Sequence, residues 1–380
     1  MRVVIAYPTV VDADAVGCDV IEEYLCLKED GVEAYIYAEN HDSTTSHMVD
    51  RDCLKFLEDR ETILIYHHAI YWEKGLELLK NSLCTRVVKY HNITPEHFLL
   101  PYSFELFRTC LLARRQTAEI VDAGVDLGLF DSRFNARDFI ASGLSESLCR
   151  VLPPFTRIHE LDGLRADTRT IERLSDGRAN VFFAGRVAPN KGHRSILYTA
   201  YYYKLLFGPE VRFIMAGGLD PGLKGYYEEL KALSRALGVD DVVEFAGRVS
   251  PEELKSYYVG SHVFLLLSEH EGFCVPILEA QRFKLPLVAY DSTAVAETLG
   301  INQLCFDTLD YETLASSIYT LYNDPSARGY LAEEGYKNFL KYERAVLREK
   351  FLSCVGGACG GRGAWGAGGA GGGGGTGGLC

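Results

Sequence analysis

The chain has 380 residues and a formal net charge of −13 at pH 7, with 47% hydrophobic and 24% charged residues. That balance describes a soluble globular protein with ample core, too long for one ordinary domain and comfortable for two. The acidic charge speaks against a general nucleic-acid binder, and no apolar run approaches the ~18 residues that would suggest a membrane span.

The opening MRVVIAY reads at once as a strand, with no signal peptide before it. A helix over GCDVIEEYLCLKEDG follows, closed near its C-cap by Gly31. EAYIYAE, ETILIYHHA and RVVKYHN read as further strands, and residues 102–124 as a long helix. VDLGLFDS, the helical RFNARDFIASG and CRVLPPF, stopped by two prolines, complete this half. Continuous apolar strands separated by helices imply a parallel sheet covered on both faces. Residues 156–178 are charged and irregular, which predicts an interdomain crossing. From ANVFFAGR the alternation restarts, through VRFIMAGG, VVEFAGRV, HVFLLLS and LPLVAYD with helices between them. The fold class is therefore α/β, with two Rossmann-like domains facing across a cleft. The boundaries are 1–155, a crossing over 156–178, and 179–354, whose last helix is a candidate to return to the first domain. Residues 355–380 include 15 glycines and little that could bury, so a disordered tail is expected there. The eleven cysteines are scattered, without a CxxC pair or metal-site spacing. Reduced cysteines and a cytoplasmic location are expected.

Sheets of this kind bind ligands beyond the carboxyl ends of their strands, so the loops there carry the candidate chemistry. In FFAGRVAPNKGH a strand ends at Gly185, and Arg186 and Lys191 follow on a turn that opens a helix near Gly192. Two cations beside a helix N-terminus make an anion site. Taken alone, the pair is also what two solvated residues on a turn would look like. Neither a P-loop nor a GxGxxG dinucleotide fingerprint is present.

In SEHEGFCVPILE, Pro276 suits a first helical turn. The backbone N–H groups of Gly272, Phe273, Cys274 and Val275 can then face a ligand. Glu271 precedes the helix and Glu279 lies inside it, at different depths of one cleft. Carboxylates accept hydrogen bonds from adjacent hydroxyls, so the two fit a ligand with two polyol groups, although solvated surface acids would give the same spacing. His91 ends a strand of the other half and could project into the cleft or be a satisfied structural residue. His67 and His68, also at a strand end, read as structural. Gly17, after the first strand, permits close approach of backbone to a ligand or simply makes a turn.

Taken together, GRVAPNKGH, SEHEGFCVPILEAQRFKLPLVAYDSTAVAET and the Glu271/Glu279 frame resemble the family 4 retaining glycosyltransferases of GT-B fold. YHNITP, DSRFNARDF and VLPPF support the likeness, which runs from Met1 to about Val355. The resemblance implies metal-independent transfer of a hexosyl group from a nucleotide-diphosphate sugar, GDP-mannose or a UDP-hexose, to a glycan or lipid-linked acceptor. It further implies a role in cell-surface polysaccharide biosynthesis, no cofactor and no nucleic-acid partner. It places Glu271 on the donor sugar, Glu279 on the ribose, and Arg186 and Lys191 on the diphosphate. The amides from Gly272 to Val275 would grip hexose and phosphate. His91 would support developing positive charge through its carbonyl and ring, and Gly17 would approach the phosphates. Arg108, Arg114 and Arg115 are candidates for an anionic membrane surface. Two departures stand out: the first loop has only Gly17 where the family is glycine-rich, and Lys284 stands where glycine is usual. The rival readings are a catalytically inactive GT-B carbohydrate-binding or scaffold protein and a GT-B nucleotide-sugar epimerase.

Overall fold

The computed structural model describes residues 1–11 and 14–358, so Ala13 of the first loop and the expected tail beyond Ala358 lie outside the described residues. Fourteen strands and fourteen α-helices alternate along them. The first half contains β1 (Arg2–Ala6), β2 (Thr9–Val10), α1 (Ala15–Glu29), β3 (Glu33–Tyr37), β4 (Asn40–His41), β5 (Thr62–His68) and α2 (Glu73–Asn81). It continues through β6 (Thr85–Tyr90), α3 (Phe104–Asp122), β7 (Leu127–Phe130), α4 (Arg133–Ala141) and β8 (Cys149–Val151). The crossing expected to be irregular holds two short helices, α5 (Ile158–Gly163) and α6 (Thr168–Leu174). Ile158, Leu161, Thr170 and Leu174 are buried, so tertiary packing supplies the order that weak local periodicity did not signal.

The second half runs β9 (Ala179–Ala184), α7 (His193–Phe207), β10 (Val211–Ala216), α8 (Lys224–Ala236), β11 (Val243–Gly247), α9 (Pro251–Gly260) and β12 (Val263–Leu266). After them come α10 (Val275–Arg282), β13 (Leu287–Tyr290), α11 (Val295–Leu299), β14 (Leu304–Phe306), α12 (Tyr311–Asn323), α13 (Pro325–Phe339) and α14 (Arg344–Ala358).

The two main sheets have the same plan. Their orders are β3-β1-β5-β6-β7-β8 and β11-β10-β9-β12-β13-β14, parallel throughout, and β2 pairs with β4 apart from them. In each, the chain winds outward from a central strand and then reverses. The reversals fall between β1 and β5 and between β9 and β12. Adjacent loops diverge at such a switch point and leave a crevice at the carboxyl ends of the strands. The loops after β9 and β12 carry Arg186, Lys191 and Glu271, and β5 ends at His68.

The apolar runs become strands because both faces are covered: Val3, Val4, Ile5, Ile63, Leu64 and Ile65 are inaccessible to solvent, as are Phe264 and Leu265. Helix α14 returns to the first half, where Leu347, Phe351 and Val355 join its core and Phe351 meets Phe155 edge to face. Each fully buried side chain of this size contributes about 1.5–3 kcal/mol, so the helix is a structural part of that half. Val355–Ala358, expected to begin the tail, are its last turn. Lys284, just past α10, has φ of 55°. It thus occupies the left-handed position for which glycine is favoured.

Candidate functional site

Gly192 sits at the turn into α7 with φ of 71°, and a Cβ there would lie 1.9 Å from the Leu267 carbonyl oxygen. Only glycine lets the turn press this closely against the end of β12. Asn190 locks the contact: its carbonyl accepts from the Glu269 N–H at 2.8 Å and its side-chain amide donates to the His270 carbonyl at 3.1 Å. Two loops far apart in sequence are thereby fused, and Lys191 Nζ reaches both oxygens of Glu271 at 2.7 and 2.8 Å. The Glu271 side chain is almost buried and the Lys191 side chain about one-fifth exposed, so the lysine is the more open member of the pair. Glu269, beside them, is exposed.

Arg186 is exposed, and its guanidinium has no hydrogen-bond or ion-pair partner among the described residues. Its field reaches Tyr7 and Cys110 of the other half, which puts it on the cleft wall. Beyond Val187 opens a cavity of about 470 Å³, walled by Met215, Leu219, Tyr227 and Phe245 with Arg248 at its edge. Gly217 in its lining could not carry a Cβ, which would fall 1.9 Å from the Gly185 carbonyl oxygen.

On the other side of Glu271, the backbone is held in rare conformations. Cys274 has φ of 78° and Thr293 of 52°. Thr293 Oγ1 accepts from the Glu271 N–H and donates to its carbonyl, both at 2.8 Å. Left-handed non-glycine residues cost of order 1–3 kcal/mol each and persist here because the surrounding contacts fix them. The result is that the N–H groups of Gly272, Phe273 and Cys274 have no acceptor among the described residues. Together with Val275, the first residue of α10, they stand at its N-terminus as an anion-binding arc. One turn on, Tyr258 donates to Glu279 at 2.5 Å. Burial raises the Glu279 carboxyl above its ordinary range, and the Tyr258 hydrogen bond draws it partly back. Tyr258 carried no sequence signal, since it reads as one more apolar position of α9.

The facing wall differs from expectation at two residues. Gly17 lies in the first turn of α1, where its N–H is taken by the Asp14 cap and a Cβ would collide with the Val11 carbonyl oxygen at 2.3 Å. Its smallness serves that loop contact. His91 has both ring nitrogens engaged inside its own half, Nδ1 to Asp131 at 3.1 Å and Nε2 to His67 at 2.8 Å. The ring is thus a buried hydrogen-bonded group, and the next residue, Asn92, is the one that reaches the cleft.

Asn92 has φ of 67° and meets His270 Nε2 at 2.7 Å across the interdomain boundary. Burial lowers His270 to about 4, so the ring is neutral at pH 7 and its Nε2–H donates to the Asn92 oxygen. Ser132, the N-cap of α4, donates to the Gly272 carbonyl at 2.7 Å. Both oxygens of Glu297 accept the Arg133 N–H, at 2.9 and 3.0 Å. These contacts hold the halves together directly over Glu271, and sequence gave no pattern for them. Of the arginines on α3, Arg114 is tied to the Ile93 carbonyl and to Glu96 and Asp138, whereas Arg108 and Arg115 are exposed.

Residues 165–338 match the profile of the family described as Glycosyl transferases group 1. A D-inositol 3-phosphate glycosyltransferase of Corynebacterium kroppenstedtii is 28% identical over 156 residues, 40% of this chain and 35% of that protein. A GDP-mannose-dependent alpha-(1-6)-phosphatidylinositol monomannoside mannosyltransferase of Mycobacterium tuberculosis is 24% identical over 235 residues, 59% of each. The chain thus spans between about one-third and three-fifths of the length of these curated relatives. In overall shape it is similar to Anabaena HepE, solved with UDP-glucose, at a TM-score of 0.72 and 16% identity, over 93% of this chain and 99% of that one. The fold is therefore the two-domain GT-B fold, and residues 165–338 carry a glycosyl transferases group 1 domain.

Proposed function

We propose that the protein is a retaining hexosyltransferase that takes a sugar from a nucleotide-diphosphate donor and passes it to a hydroxyl of a glycan or lipid-linked acceptor. The observation that carries this reading is the Lys191–Glu271 pair, set where the ends of β9 and β12 meet between the N-termini of α7 and α10. The relatives, an inositol-phosphate glycosyltransferase and a GDP-mannose-dependent mannosyltransferase, support it.

In this reading the base enters the 470 Å³ cavity beside Val187 and the ribose lies on Glu279. The diphosphate crosses the N-terminus of α7 between Arg186 and Lys191, and the hexose rests on Glu271 and the amides of Gly272, Phe273, Cys274 and Val275. As the bond between sugar and diphosphate breaks, negative charge grows on the departing phosphate. Lys191 and Arg186 are already positioned to receive it, and preorganised charge of this kind is a large source of rate enhancement. Glu271 lies on the sugar side, where positive charge develops and a carboxylate stabilises it; Lys191 spans both. The same residues require neither a metal nor a cofactor for this part of the work.

The test is a panel of UDP- and GDP-sugars with product analysis by NMR, which reads the donor and the anomeric outcome together. Lys191→Ala removes a charge-assisted bond worth about 1.5–3 kcal/mol, or roughly 10- to 150-fold in kcat/KM. Absence of turnover with every nucleotide sugar contradicts the proposal. For a lipid-linked acceptor, Arg108 and Arg115 are exposed on α3, and Leu100 and Phe104, before and at its start, are 52% and 70% exposed. Each cation contributes about 1 kcal/mol near an anionic surface. Flotation with anionic vesicles should weaken when both become Ala; unchanged flotation removes the membrane surface from the proposal.

A further inference from the structure

The carboxyl end of the first sheet buries six ionisable side chains in one continuous network. Glu23, His67 and Lys89 have no solvent-accessible side-chain surface, nor does Asp19, and His91 and Asp131 have 6% and 5%. They come from α1, β5, β6 and the loops after β6 and β7. Lys89 Nζ lies 2.7 Å from Asp19 Oδ2 and 3.0 Å from Glu23 Oε1, and Asp19 Oδ1 accepts the Phe155 N–H at 2.6 Å. Asp19, His67 and His91 bring three potential metal-ligand atoms within 4.8 Å of one another, but the Lys89 ammonium already takes the place of a cation beside Asp19.

A chain of three hydrogen bonds runs from this pair toward the cleft. Glu23 Oε2 meets His67 Nε2 at 3.1 Å, His67 Nδ1 meets His91 Nε2 at 2.8 Å, and His91 Nδ1 meets Asp131 Oδ2 at 3.1 Å. The histidine rings lie within 17° of a common plane, which suits an in-plane N–H···N bond. Three hydrogen bonds need three protons, and two neutral imidazoles bring two. The His67–Glu23 bond takes one, since the carboxylate brings none. The His67–His91 bond takes the second. The third must come from solvent and makes one of the two rings a cation. The charge belongs on His91, because Asp131 has no other cation bonded to it among the described residues, whereas Glu23 beside His67 is already paired with Lys89 at 3.0 Å. An imidazole is more basic than an aspartate by more than two pK units in water, so the proton belongs on the ring.

We propose that His91 is an imidazolium at rest, held by Asp131 on one nitrogen and by the His67–Glu23 arm on the other, and that these three are its positioning residues. The charged groups facing the ring are Asp131 from the loop after β7, Asp19 from α1 and Lys89 from β6, and the titratable groups beside them are His67 and His68 from β5. Burial opposes the charge on His91, and Asp131 and Asp19 outweigh it against Lys89, so the group titrates above the ordinary histidine range. The network fixes the end of β6 and with it the left-handed Asn92 that bridges to His270. The ring is therefore a fixed cation in the cleft wall, unable to act as a base. Support of a positive sugar falls to Glu271 and to backbone carbonyls. That last consequence rests on the transferase reading; the protonation state does not.

The test is a pH titration of the full chain labelled with 15N-histidine, read by long-range proton–nitrogen spectra and assigned with His91→Gln and His67→Gln. Expected are two protonated ring nitrogens on His91 at pH 7. In Asp131→Asn the His91 titration should fall by more than one pH unit. His67→Gln, which can still accept from His91 and donate to Glu23, should leave His91 charged. A neutral His91 at pH 7 in the native chain, or an unchanged titration in Asp131→Asn, overturns the proposal. Should Asp131→Asn fail to fold, the native titration alone decides. In turnover, Asp131→Asn should move the alkaline limb of kcat to lower pH while KM for the donor stays within about threefold. A limb that does not move counts against the positioning role. Lack of turnover with all donors would remove the transferase reading and leave the titration result standing.

Discussion

The carboxyl ends of the two sheets are built to one plan, and they treat charge in opposite ways. Behind β9 and β12 the cations face outward: Arg186 is exposed without a partner among the described residues, and Lys191 keeps a fifth of its side chain in solvent. Behind β5, β6 and β7 the charges face inward, with Lys89 enclosed by Asp19 and Glu23 and the histidine pair closed by Asp131. A cation kept exposed has lost little solvation and can still pay it to a ligand. A cation already compensated by two buried carboxylates has nothing left to offer one, and its effect is on geometry. The same topology thus yields a proposed binding wall and a rigid wall, joined over Glu271 by Asn92, Ser132 and Glu297.

Parallel substitutions on the two walls separate these roles. Lys89→Met strands two buried carboxylates, and loss of one partner from a buried ion pair costs about 3–5 kcal/mol. The denaturant midpoint should fall steeply. Burial drives Asp19 upward against Lys89, whereas Lys89 and His67 together overcome burial and hold Glu23 low. A carboxylate held low contributes stability that is present above its unfolded pKa and lost as pH falls, so native Glu23 should bring an acid transition that Lys89→Met weakens. A midpoint unchanged in Lys89→Met would mean that the rigid wall is not held by these charges.

A smaller effect is expected at the base of the binding wall. Tyr258→Phe removes one hydrogen bond, about 1 kcal/mol, and leaves burial to raise Glu279 further. A group raised above its unfolded value contributes stability below that value and loses it as pH rises, so ionised Glu279 is obtained against the fold. Nucleotide affinity should therefore begin to fail, as pH is lowered, at a higher pH in the variant than in the native chain. Identical pH profiles would remove Glu279 from the ribose site.

The smallest effect concerns the contacts between the walls. Glu297→Gln keeps the shape but removes a negative charge from the N-terminus of α4, where it accepts the Arg133 N–H, an effect of about 0.3–1 kcal/mol. Small-angle scattering should register a shift toward a more open molecule, reversed by donor. Absence of any shift would leave Ser132 and Asn92 as the effective contacts.

The difference between the walls also explains what could be read from sequence. Arg186, Lys191, Glu271 and Glu279 fall in two stretches, 182–193 and 268–279, each a strand running into a helix N-terminus. A local pattern therefore carries their placement. The rigid wall is assembled from residues spread between Asp19 and Asp131. Asp19 and Glu23 look like the solvated face of a helix, Lys89 like an interruption of a strand, and His67 like a structural histidine. Their meaning arises only when β5, β6 and β7 are set side by side, and no local periodicity encodes which buried acid will meet which buried base. Helices α5 and α6 escaped notice for a related reason, being too short for a periodic signal and ordered by Leu161 and Leu174 in the core. The likeness to family 4 glycosyltransferases brought His91 into the site, while the ring contacts that define it belong to its own half.

Calorimetric titration of the native chain and Lys191→Ala with UDP and with GDP decides whether the Lys191–Glu271 pair serves a nucleotide. One of the two nucleotides should bind the native chain, and the variant should bind it roughly 10- to 150-fold more weakly, with the fold intact by denaturation. Failure of both nucleotides to bind, or affinity indifferent to Lys191, would contradict that role for the pair.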